Sequence, residues 1–243
     1  MAGAFGWGFL AASSLIIGGL LALSIHVHDR VLGLVMAFGS GVLISAVAYE
    51  LVQDAVDTSA GGQGIALGML AGALTFFTGD TAINHLGGAD RKRSRGAGGE
   101  SSGLAITLGI VLDGIPESIV IGLTLIGGAK VSIAVLAAVF LSNLPEALSA
   151  TTGLAKGGWS RDRILGLWVL IAVVSGVAAM AGFGIFDAAS PSIIAFVDAF
   201  AAGAILTMLA DTMMPEAFEL GGRLVGLFTT LGFLLAFALS ALE

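Results

Sequence analysis

The sequence of 243 residues contains no cysteine, three histidines, four prolines and one tyrosine, and only 11% of it is charged. Without cysteine there are no disulfides and no thiolate metal ligands. A soluble domain is about 25% charged, so this chain lacks the polar surface to face water on all sides. Bases are scarcer than acids, 10 against 17, for a formal charge of −7. That balance argues against nucleic acid as a partner. What is abundant is apolar: 57% hydrophobic residues and a mean hydropathy of +1.02. Intrinsic disorder, whose signature is low hydropathy, is excluded. A polytopic, all-α integral membrane protein remains, built as one transmembrane domain over 1–243. Its 37 glycines fit close helix–helix packing in a bilayer.

A bilayer core takes about 20 apolar residues at about 1.5 Å each. Stretches of that kind fall at 5–24, 31–52, 64–86, 102–126, 130–155, 163–184, 191–216 and 223–242, which predicts eight spans. The first residues lack a basic stretch and 5–24 is long enough to span, so no cleaved signal peptide is expected. Turn residues separate the spans: His28-Asp29-Arg30, Thr58-Ser59-Ala60-Gly61-Gly62, Gly157-Gly158 and Gly221-Gly222. With eight spans, Arg30, Arg91, Lys92, Arg93, Arg95, Lys156, Arg161, Arg163 and Arg223 fall on one side and Lys130 alone on the other. The positive-inside rule then puts loop 87–101 in the cytoplasm and both termini outside the cell (inner) membrane.

Two internal matches appear. The second-span stretch from Ala37 to Ala55 resembles the seventh-span stretch from Ala199 to Ala217, so that Gly41 meets Gly203 and Asp54 meets Glu216. Leu112-Asp113-Gly114-Ile115-Pro116-Glu117-Ser118 lines up with Leu141-Ser142-Asn143-Leu144-Pro145-Glu146-Ala147. Both pairs cross the bilayer in opposite senses. Inverted repeats mark secondary transporters, with the site near the midplane at the repeat interface. The implied plan is three helices, two central helices and three more inverted.

An acid at a helix centre costs roughly 2.5–3.5 kcal/mol on insertion scales, so buried acids are informative. Asp113, Glu117 and Glu146 sit mid-span. Ser142 is i,i+4 from Glu146, and Asn143 is i,i+3. Pro116 and Pro145 free the carbonyls of Leu112 and Leu141 and are expected to kink their helices. A kink, a bare carbonyl and a carboxylate in each of two facing turns would make an oxygen-rich cage suited to a divalent cation. The ligand set expected is Asp113, Glu117, Glu146, Asn143 and Ser142. Glu50, Asp54 and Asp57 are placed toward the external mouth, with Asp80, Asp211, Glu216 and Glu219 toward the cytoplasm; of these, Glu50, Asp54, Asp80, Asp211 and Glu216 are pathway candidates. His26 and His28 point to different helix faces and are not expected to chelate, and His85 reads as structural.

This pattern resembles the ZIP (Zrt/Irt-like) family of divalent metal transporters over nearly the whole chain. Family members carry His-Asn-x-Pro-Glu in the fourth span and His-Glu-x-Pro-Glu in the fifth. Here those motifs read Asp113-Gly114-Ile115-Pro116-Glu117 and Ser142-Asn143-Leu144-Pro145-Glu146, so both histidines are gone and the two Pro-Glu glutamates survive. The seventh-span run from Ala201 through Asp211 to Pro215-Glu216 is similar to the family's. In the sixth span Ala179 stands where bacterial members have Glu, and Val42 or Leu43 stands near a second-span Met ligand. The resemblance implies import of a divalent metal ion by alternating access, with zinc as the family default. Carboxylate and carbonyl oxygens without imidazole favour harder ions, which brings in Mn²⁺ and Fe²⁺. No organic cofactor is expected, and a homodimer is allowed for. No Gly-Lys-Ser/Thr phosphate loop or His-Glu-x-x-His helix is present, so neither nucleotide-driven transport nor a zinc protease is expected. The alternatives are a proton-coupled carrier or exporter of another small solute, or a transport-dead ZIP-like protein.

Overall fold

The computed structural model describes residues 1–58, 62–85 and 100–242, and those residues are almost wholly helical. In chain order the helices are α1 (Ala2–Ser24), α2 (Asp29–Ala46), α3 (Gln53–Thr58), α4 (Gly62–Ile83), α5 (Glu100–Leu123), α6 (Ile133–Lys156), α7 (Arg161–Phe186), α8 (Pro191–Met208), α9 (Met214–Gly221) and α10 (Val225–Ser240). The basic residues 91–95 and the turn at 59–61 lie outside the described residues.

Seven helices among the described residues are long and apolar enough to cross a membrane, and the last runs 50 residues, Pro191–Ser240. At about 1.5 Å per residue that is some 75 Å, well over twice the roughly 30 Å hydrocarbon core. Gly222, at φ 65°, interrupts it between α9 and α10. The second candidate, Asp29–Thr58, joins α2 and α3 and outruns the expected 31–52. Polar starts are capped from the sequence. His28 Nδ1 accepts from Arg30 N–H, Ser132 Oγ from Val135 N–H and Ser160 Oγ from Arg163 N–H. His28 thus has a structural task at a helix start.

α5 and α6 run unbroken through Pro116 and Pro145. The irregularities lie elsewhere, as π-turns at Val47–Val52, between α2 and α3, and Leu209–Met213, between α8 and α9. The offset that aligns Gly41 with Gly203 also aligns Val47 with Leu209, the first residue of each π-turn. Such turns are rare and concentrate at functional sites.

Glycine sorts the helices into two packing units. A Cβ at Gly41 would strike the Thr229 carbonyl and one at Gly232 the Phe38 carbonyl, welding α2 to α10. The same relation holds between Gly72 and Phe200 and between Gly203 and Met69, welding α4 to α8. In the other unit Gly8 meets α7 at Ser175, Gly18 meets α6 at Leu144, and Gly122 and Gly182 close α5 on α7. One unit is therefore α1, α5, α6 and α7; the other is α2, α3, α4, α8, α9 and α10. Apolar side chains such as Leu70 and Phe77 on α4, Leu170 on α7 and Leu231 on α10 face outward, as a lipid-facing surface requires.

A candidate ion cavity between the two packing units

Where α5 and α6 of the first unit meet α2, α8 and α9 of the second lies a cavity of about 20 Å³. That is room for one water or one bare ion. Glu117 enters from α5, and Glu146, Ser142 and Ser149 enter from α6. From the second unit come Glu216 on α9 and three methionines: Met36, Met208 and Met213. Glu117 and Glu216 are 3% and 6% exposed, so both carboxyls are buried. Ser149 Oγ donates to Glu216 Oε1 at 2.8 Å, a hydrogen bond that crosses from one unit to the other. Ser142 Oγ donates to the Val139 carbonyl at 3.1 Å.

Of the residues that sequence reading grouped as ligands, Glu117, Glu146 and Ser142 share this wall. Asp113, 2% exposed, and Asn143, 5% exposed, are buried but do not line it. Next to Asp113, Gly114 faces Ser175 of α7, which points that stretch of α5 into its own unit. Glu216, expected as a cytoplasmic pathway residue, lines the cavity itself. Its three glutamates do not converge on one point. Among the described residues no three His, Asp or Glu side chains are close enough to hold an ion together.

Beyond Glu117 lies a smaller cavity of about 10 Å³, lined by Leu43, Val47, Leu51, Val120, Val135, Val139 and Ile205. It is apolar apart from Glu117. Glu50 Oε2 accepts from Ser132 Oγ at 2.7 Å, a second hydrogen bond between the units. Asp54 is exposed near it, and Asp198 of α8 lies close enough to feel the Asp54 charge.

In the other direction a wider cavity of about 340 Å³ opens among α1, α2 and α6, lined by His26, Asp29, Leu148, Thr152 and Lys156. Thr152 is one helical turn beyond Ser149, so Ser142, Glu146, Ser149, Thr152 and Lys156 form a polar stripe down α6. This is the end that also carries Arg30, Arg161, Arg163 and Arg223. Asp80 is buried beside its own helix neighbour, with Asn84 Nδ2 donating to Asp80 Oδ2 at 2.8 Å. Asp211 is exposed on its π-turn.

Sequence reading missed Ser149, Asp198 and the methionines. The first two had signals. Ser149 continues the Ser142–Glu146 spacing, and Asp198 is an acid within an apolar span. The methionines had none, because a methionine reads as core wherever it falls.

No family model matches the chain. A protein of Arabidopsis thaliana that carries the provisional name of a zinc transporter is 26% identical over 191 residues, covering 77% of this chain. The chain spans 30% of that plant protein's length.

Proposed function

We propose that this chain is a ZIP-like transporter that moves divalent metal cations across the membrane by alternating access. Zinc is the default substrate, with Mn²⁺ and Fe²⁺ as alternatives. In this reading Pro191–Ser240 crosses twice, giving eight spans in a three-two-three inverted plan. The base-rich end is cytoplasmic, and both termini lie outside the inner membrane.

One observation carries the proposal: glutamates from the twinned Pro-Glu motifs meet a third glutamate in an ion-sized cavity on the boundary between two packing units. A carboxylate is costly at membrane depth and is kept there for ion or proton traffic. The boundary position supports alternating access, because sliding one unit against the other would change which end the cavity reaches. The wide cavity on the base-rich side supports an inward-open state.

A proton-coupled carrier of another solute is favoured by one feature, that among the described residues the carboxylates do not gather in threes. Metal-dependent thermal stabilisation separates the two. A divalent ion at a hundred times its Kd should stabilise the purified protein by about 2.7 kcal/mol and should enter proteoliposomes that contain it. Stabilisation and uptake that respond to a pH gradient but not to any of Zn²⁺, Mn²⁺ or Fe²⁺ would favour the other carrier.

A further inference from the structure

The chain has seven methionines, and three of them, Met36, Met208 and Met213, line the one small cavity that holds Glu117, Glu146 and Glu216. Among the described residues that line it, no other carries sulfur. We propose that these thioethers form a soft face that sets selectivity, favouring polarisable cations such as Cd²⁺ over Mn²⁺. The inference rests on reading the cavity as a metal path.

Donor supply supports it. Zn²⁺ and similar ions take about four ligands, while no three of the described acids and histidines come close enough to hold one. The hydroxyls of Ser149 and Ser142 direct their protons to Glu216 and to the Val139 carbonyl. About 20 Å³ admits one water at most. Beside the oxygens of Glu117, Glu146, Glu216, Ser142 and Ser149, the wall offers the thioethers of the three methionines.

Its placement is one-sided. All three methionines come from α2, α8 and the π-turn before α9, whereas Glu117 and Glu146 come from α5 and α6. Two of the three glutamates thus come from one unit, and all three methionines, with Glu216, from the other. Met213 Cε and the Ser142 backbone both pack around Gly39 of α2. Carboxylate and water oxygens suit Mn²⁺, while thioethers favour softer ions. Methionine also fills irregular gaps between helices, and leucine does so at nearly the same volume. Leucine therefore removes the sulfur and keeps the packing.

The test is competitive uptake of Cd²⁺ against Mn²⁺ by proteoliposomes containing the full chain, as wild type, Met208→Leu/Met213→Leu, and the triple variant with Met36→Leu. The triple variant should lose about tenfold in its Cd²⁺-to-Mn²⁺ ratio, with Cd²⁺ uptake falling further than Mn²⁺ uptake. X-ray absorption at the cadmium edge of the loaded wild-type protein should show sulfur neighbours that the triple variant lacks. An unchanged ratio in a variant that still carries Mn²⁺ overturns the proposal, and so does an equal loss of both ions, which is the behaviour of packing residues. If wild-type protein carries neither ion, the transport reading itself falls, a result distinct from either.

Discussion

Alanine at Glu117, or at Glu146, is expected to reduce metal uptake by more than about a hundredfold without lowering the amount of folded protein. Loss of a group that merely orients a metal ligand already costs about 10–100-fold, and these two carboxylates are placed to touch the ion. Both line the same cavity from neighbouring helices of one packing unit. The repeat makes them equivalent, so their effects should be similar. Glu219→Ala is the comparison, because Glu219 is exposed on α9 and should change uptake by less than about twofold. Initial uptake rates normalised to reconstituted protein decide the matter. Equal losses at all three positions would mean general destabilisation instead.

Glu216 should be nearly as sensitive, for a different reason. It is the carboxylate that the second unit contributes, and its hydrogen bond from Ser149 ties that unit to α6 at the cavity. Glu216→Gln keeps the shape and an oxygen to accept from Ser149 but removes the charge. Uptake is expected to fall about tenfold or more, while thermal stability without metal is unchanged or higher, since a buried charge has been removed. Asp54→Ala, at the equivalent position of the repeat, should be mild because Asp54 is exposed at the opposite end. Wild-type uptake by Glu216→Gln would mean that a neutral oxygen suffices there.

Much of this arrangement is legible in the amino-acid order. Hydropathy alone places the helices, because a bilayer demands long apolar runs and tolerates few charges. The Gly41 and Gly203 match reappears as the paired close approaches of α2 to α10 and α4 to α8. Glu117 and Glu146 stand out because an acid in an apolar span is costly. Helical phase was harder. A π-turn inserts a residue and turns everything after it around the axis, so a 3.6-residue period misplaces Glu216, three residues past Leu209–Met213. Asp113 is buried but lies off the cavity wall. Its i,i+4 relation to Glu117 puts both on one face, but about 6 Å apart along the axis, and the neighbouring Gly114 packs toward α7. The prolines were expected to kink α5 and α6, and both helices continue through them. The Leu141 carbonyl that Pro145 leaves without its helical donor packs against Gly39 of α2, where the missing side chain admits it.

The most direct test of the central claim is the metal content of the purified full chain. Protein prepared without chelator and equilibrated with one divalent ion, then passed through a desalting column, should retain about one ion per chain, as a cavity of about 20 Å³ allows. The Glu117→Ala/Glu146→Ala protein, folded to the same extent, should retain none. Equal metal in the two proteins, or none in the wild type with any of Zn²⁺, Mn²⁺ or Fe²⁺, would contradict the assignment of this cavity as the ion's path.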